Sequence, residues 1–217
     1  MAQTQTRKPV RAPAPEALPP LCNGDRLSRA EFERRWDLHP DIKKAELIDG
    51  QVYLEVTVGP QHAAAHTRLM TFLGVFAAGN PACMVFDNVT VRMPGEDEVQ
   101  PDAAGLVDGS GKASLHDDAV EGIPEFVAEI AASFASYDLH AKRDLYERAG
   151  VQEYLVWQIF EERIDWWELV DGKYQPLELT NGIFESKVFP GLRLAAFAML
   201  NGDMAAVLRE VAPASAE

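Results

Sequence analysis

The sequence predicts an α/β fold (α+β mixed), a mixed β-sheet flanked by helices with extra antiparallel hairpin strands. Three observations carry that reading. Apolar runs of strand length alternate with two amphipathic stretches at helical spacing, residues 61–78 and 138–149. The run at Phe126–Ala131, the second of those stretches and the run from Tyr154 form one strand–helix–strand crossover, which sets two strands parallel. Turn signals at Asp49-Gly50 and Asp171-Gly172 sit between strand-like runs and close hairpins.

Taken in order, residues 1–20 carry Pro9, Pro13, Pro15, Pro19 and Pro20 without apolar periodicity, so a disordered arm is expected there, followed by a single domain over 21–217. Ser28-Arg29-Ala30-Glu31 is a capping-box pattern opening a helix to about Leu38, which His39-Pro40 stops. Ala45–Ile48 and Gln51–Val56 make a hairpin. Leu69, Leu73 and Phe76 mark a helix over 61–78. A strand from Met84 to Met93 is expected to break at Asp87-Asn88, and a strand from Val99 to Val107 follows an acidic turn. Residues 108–124 read as a polar loop. The strand around Glu129 leads to the helix from Asp138 to Ala149, with Gly150 as its C-cap. Tyr154–Phe160 and Ile164–Val170 pair around Glu161-Glu162, Lys173–Leu179 adds an edge, Phe184–Phe189 another short strand, and one helix from Leu194 to Val211 closes the chain.

Composition bounds the function. With 217 residues, 47% hydrophobic and 25% charged, the chain can bury a substantial core. No run approaches the roughly 18 apolar residues of a membrane span, and no apolar signal core stands near the N-terminus. Cys22 and Cys83 show neither metal-ligand spacing nor a disulfide framework. The expectation is a soluble, reduced, cytoplasmic protein with no membrane partner. The net charge of -14 has the wrong sign for coating nucleic acid through phosphate contacts. It still allows an enzyme that touches nucleic acid at one site, where carboxylates gather around metal ions.

The stretch from Val99 to Trp157 holds the chemistry. Asp102 stands at the head of one apolar run, Glu129 lies inside the next, and Lys142 follows on a helix. A carboxylate among Val, Ile and Ala is costly to bury unless something pairs with it, and a divalent cation does so well. A metal held by hard oxygens also supplies what phosphodiester hydrolysis needs, a nucleophile at neutral pH and compensation for charge on the leaving oxygen. His62 and His66 lie four apart on one helix face, but Ala63 stands where a His-Glu-x-x-His pattern needs its acid. His62 is read as lining the site and His66 as surface or half-buried. Trp157, Trp166 and Trp167 are read as core or dimer interface rather than base-stacking platforms.

Pro101-Asp102, Glu129 and a nearby lysine resemble the PD-(D/E)XK nuclease superfamily. Glu46-Leu-Ile-Asp-Gly50, Gln100-Pro-Asp102, Val127-Ala-Glu129, Asp138-Leu-His-Ala-Lys142 and Gly150-Val-Gln-Glu-Tyr154 together resemble the Uma-type restriction endonuclease family over roughly residues 28–200. The resemblance implies a restriction-endonuclease-like core with Asp102, Glu129 and the backbone carbonyl of Ile130 ligating Mg²⁺ or Mn²⁺. Lys142 would orient the attacking water or steady charge on the phosphate, and Glu46 would supply a further catalytic carboxylate. The superfamily places its lysine two residues after the acid, where this chain has Ala131, and Lys142 is the substitute. The implied activity is metal-dependent endonuclease cleavage of DNA by a homodimer. Two alternatives stand beside it: a non-catalytic interaction module on the same fold, and a hydrolase of other phosphoesters such as RNA or nucleotides.

Overall fold

The computed structural model describes residues 18–54, 59–131 and 136–211. Most of the expected N-terminal arm and the expected strand end at Glu55 and Val56 lie outside the described residues. Ser28 opens α1 (Arg29–Asp37) by accepting the backbone N–H of Glu31. The reciprocal half of the capping box is not made, because Glu31 turns its carboxylate to Arg34 and Arg35. Asp49 and Gly50, at φ 52° and 71°, form the tight turn between β1 (Ala45–Ile48) and β2 (Gln51–Leu54). Glycine takes that left-handed conformation without steric cost, which is why Asp-Gly signals such a hairpin. In α2 (Pro60–Gly79) the residues at helical spacing, Leu69, Phe72, Leu73 and Phe76, form the buried stripe.

The middle of the chain departs from the expected pattern in instructive ways. The strand expected to break at Asp87-Asn88 does so, giving β3 (Cys83–Asp87) and β4 (Val91–Arg92), with Asn88 at φ 47°. The expected strand from Val99 to Val107 also divides, into β5 (Glu98–Val99) and β6 (Ala103–Val107). Pro101 has no N–H to give a ladder, so the run cannot continue through it as a central strand. Residues 108–124 are not all loop. They contain the antiparallel hairpin β7 (Ala113–Leu115) and β8 (Val120–Gly122), whose apolar signal, little more than the buried Ala119-Val120 pair, is too short to stand out among polar neighbours.

β9 (Phe126–Ala131), α3 (Ser136–Ala149) and β10 (Glu153–Gln158) form the crossover, with β9 and β10 parallel in register Glu129↔Val156. Bonds from Gly150 N–H to Glu147 and from Val151 N–H to Tyr146 close α3 in a Schellman arrangement. β11 (Arg163–Val170), β12 (Lys173–Pro176), β13 (Ile183–Glu185) and β14 (Arg193–Ala195) follow. The expected closing helix is instead β14 followed by two short helices, α4 (Ala196–Asn201) and α5 (Met204–Glu210). Gly202 at φ 77° ends the first, and Asp203 caps the second by accepting the N–H of Ala206. Leu194 is drawn into a strand by pairing with Phe184.

Two six-stranded sheets result, one in the order β2-β1-β5-β4-β8-β7 and the other β12-β11-β10-β9-β6-β3, with β13-β14 apart. The chain therefore passes between the two sheets repeatedly, at residues 88–90, 100–102, 108–112 and 123–125 as well as through α2. Alternation along β9 sorts the core: Phe126, Ala128 and Ile130 pack with α2, while Val127 joins Leu145 and Tyr146 of α3 on the opposite face. Glu129 shares the parity of Val127, so the same alternation aims it at α3. No helix among the described residues is long and apolar enough to cross a membrane.

A second buried acid serves the scaffold. Glu153, at 0% exposure, accepts from Trp166 Nε1 (3.2 Å), the Ser186 hydroxyl (2.8 Å) and the backbone N–H groups of Lys187 and Val188. It fastens the segment after β13 to the central sheet. Glu153→Ala should cost about 3 kcal/mol or more, because several buried donors lose one shared acceptor. Chemical denaturation of the two proteins measures the difference.

Candidate active site

Three segments from different parts of the fold bring their polar side chains together. Helical spacing puts Lys142, Leu145, Tyr146 and Ala149 on one face of α3, and α3 lies against β1. The Lys142 ammonium is 2.9 Å from Glu46 Oε2 on β1 and 3.0 Å from Glu129 Oε1 on β9. Tyr146, one turn on, donates its hydroxyl to the same Glu129 oxygen at 2.9 Å. Glu46 also accepts the backbone N–H of Gln100 through Oε1 at 2.9 Å. That bond anchors the crossing segment Gln100-Pro101-Asp102, so Glu46 helps to place Asp102 as well as to pair with Lys142.

Asp102 is 2% exposed. The β6–β9 ladder ends at Ala103↔Ala128, and Asp102 Oδ2 takes the next N–H, that of Ile130, at 2.7 Å. The side chain thus continues the hydrogen bonding that the strand gives up. His62 Nε2 stands 3.3 Å from the same Oδ2. Oδ1 accepts no hydrogen bond among the described residues, and the Lys44 ammonium is 3.6 Å from it. His66 is half-buried, with Nε2 3.1 Å from the Asp102 carbonyl oxygen and 3.1 Å from Asp87 Oδ1.

The charge states follow from burial and neighbours. Burial is the largest influence on Glu129 and, with Asp102 and Glu46 nearby, raises its carboxyl to about 7 against the opposing pull of Lys142. Burial presses the Lys142 ammonium toward neutrality, but Glu129 and Glu46 outweigh it and hold its pKa well above the ordinary lysine value. Burial also works against ionised Asp102, yet the His62 contact, the Lys44 charge and the Ile130 N–H bring its carboxyl down to about 2. Asp102 is accordingly a carboxylate at neutral pH.

These residues suit a hard cation in one specific respect. Asp102 Oδ1 is an anionic oxygen, buried and without a hydrogen-bond donor among the described residues, which is the condition a divalent ion relieves. Among the described residues no three His, Cys, Asp or Glu groups are arranged to hold a metal by themselves. Mg²⁺ does not need such a cage, since it is commonly held by one or two carboxylates and keeps its remaining ligands as water or substrate phosphate. Asp102, immediately before β6, and Glu129, on β9, fit that pattern.

A family model described as "Uma2: Putative restriction endonuclease" matches residues 29–197. The chain belongs to the Uma2 family. A crystal structure of a "putative nuclease belonging to DUF820" from Anabaena variabilis is similar to it with a TM-score of 0.63 at 12% identity, covering 80% of this chain and 99% of the other. At that identity the likeness shows the fold, a nuclease-like mixed α+β arrangement. No curated protein matches the chain.

In this Uma2 chain the structure gathers Glu46, Glu129 and Lys142 into direct contact and sets Asp102 beside them, tied to the backbone N–H of Ile130. Sequence reasoning missed Lys44 and the bond from Tyr146. Both left signals: Lys44 is two residues before Glu46, on the same side of an extended chain, and Tyr146 is four after Lys142 on the same helix face. Lys142→Met should destabilise the fold by about 3–5 kcal/mol, because two buried carboxylates lose their shared cation. Adding Glu129→Gln to that variant should recover part of the loss, and a double-mutant cycle by urea unfolding reads the coupling.

Proposed function

We propose that this chain is a Mg²⁺- or Mn²⁺-dependent endonuclease that hydrolyses phosphodiester bonds in DNA. The observation that carries the proposal is the buried Asp102 carboxyl group, with one oxygen lacking a donor among the described residues, next to Glu129 and the paired ammonium of Lys142. Family membership and the nuclease-like fold support the same reading.

In this reading Asp102 and Glu129 would hold the cation, and the backbone carbonyl of Ile130, which the family resemblance implies as a ligand, would add a further oxygen. The cation supplies a water of lowered pKa and neutralises charge on the phosphoryl oxygens. Lys142 keeps its proton between two carboxylates, so it acts as a positive charge rather than as a base: it orients the attacking water or steadies the phosphate. Glu46 keeps Lys142 in place and, through Gln100, holds the segment that bears Asp102. The chain's net charge of -14 disfavours tight binding to a polyanion in the absence of a metal ion.

One observation favours a second reading, a non-catalytic module on the same fold. Lys142 is already engaged by two carboxylates, and the usual lysine position holds Ala131. A homodimer belongs to either reading, but Trp157 and Trp166 are buried in the core and cannot form its face. Mn²⁺ binding by calorimetry separates the two readings. Activity on duplex DNA, single strands, RNA and nucleotides separates a DNA nuclease from other phosphoesterases.

Purified protein should nick supercoiled plasmid with Mg²⁺ or Mn²⁺, and a chelator should stop it. Asp102→Asn should lower the rate by more than about a hundredfold, since even outer-shell partners of a metal commonly cost 10–100-fold. Equal nicking by variant and wild type with both metals refutes the proposal.

A further inference from the structure

Lys44 stands immediately before β1, with its side chain 17% exposed. Its ammonium lies 3.6 Å from Asp102 Oδ1 and 3.5 Å from Asn88 Oδ1. The other oxygen of Asp102, Oδ2, takes the Ile130 N–H and faces His62. The Asp102 oxygen without a hydrogen-bond donor among the described residues is thus the one that the charge of Lys44 faces. A divalent ion sits about 2.0–2.6 Å from a carboxylate oxygen. An ammonium near the same atom would then be a like charge at close range in a buried site, where such repulsion is strong. Lys44 in that position therefore opposes entry of the ion.

The two lysines stand at different distances from the carboxylates they face. Lys142 is clamped at 2.9 and 3.0 Å by carboxylates from both sheets. Lys44 stands 3.6 Å from Asp102 Oδ1, longer than a hydrogen bond. We propose that Lys44 is a displaceable counter-cation: it neutralises Asp102 until a divalent ion takes Oδ1, and moving it aside sets the affinity of the site for that ion. This rests on the metal-dependent reading above and adds to it a residue that the reading does not use. Removing the charge at position 44 should tighten metal binding, whereas moving the same charge to another head group should not.

The test is titration of Mn²⁺ alone into the full chain, followed by calorimetry and by the electron paramagnetic resonance of free Mn²⁺. Wild type is compared with Lys44→Met, Lys44→Arg and Asp102→Asn. Lys44→Met should bind Mn²⁺ about tenfold or more tightly than wild type, since no like charge has to be moved. Lys44→Arg should stay within about threefold of wild type, because its head group remains cationic. Asp102→Asn should lose the binding. Unchanged or weaker binding by Lys44→Met, with loss in Asp102→Asn, overturns the counter-cation and leaves the metal site standing. Absence of Mn²⁺ binding in every protein, or binding indifferent to Asp102→Asn, overturns both. Should Lys44→Met fail to fold, Lys44→Gln makes the same comparison.

Discussion

The contact of one ammonium with carboxylates from two sheets is what the centre of this molecule is built around. Glu46 comes from the sheet containing β1, Glu129 from the sheet containing β9, and Lys142 from the helix between β9 and β10. Each acid alone would be expensive to bury, and so would the amine. Together, with the Tyr146 hydroxyl and the Gln100 N–H taking further lone pairs, they become a satisfied network that also fixes the relative placement of two sheets and a helix. Asp102 belongs to that arrangement indirectly, through the anchoring of residues 100–102 by Glu46 and through its own bond to Ile130.

Much of this was legible along the chain. The hairpin at Asp49-Gly50 and the helix over 61–78 rest on local chemistry that tertiary structure does not override, a turn needing positive φ and a regular apolar stripe. The parallel crossover was legible because a strand, an amphipathic helix of suitable length and a second strand allow few alternatives. Glu129 stood out because a single acid in an apolar strand asks for a partner, and Lys142 and Tyr146 are its partners here.

The remainder depended on interactions that no local window contains. Two of the expected strands are split between the sheets, at Asn88 and at Pro101, and an apolar run reads the same whichever sheet receives each half. Ala113–Leu115 and Val120–Gly122 are strands because they extend a sheet begun far earlier in the sequence. Leu194 looks helical by spacing and is a strand by virtue of Phe184 across from it. The part played by Lys44 is invisible without the position of Asp102 Oδ1, fifty-odd residues downstream in the sequence.

Ala131 gives the arrangement a particular mechanical character. Had the amine sprung from β9 itself, its distance to Glu129 would be set by the pleat of a single ribbon. Here it is delivered by α3, so the spacing between acid and amine is a property of how a helix docks across two layers. Any force that tilts or slides α3 is transmitted directly to the charges at the centre, and the docking of one cylinder becomes the adjustment screw of the whole cluster.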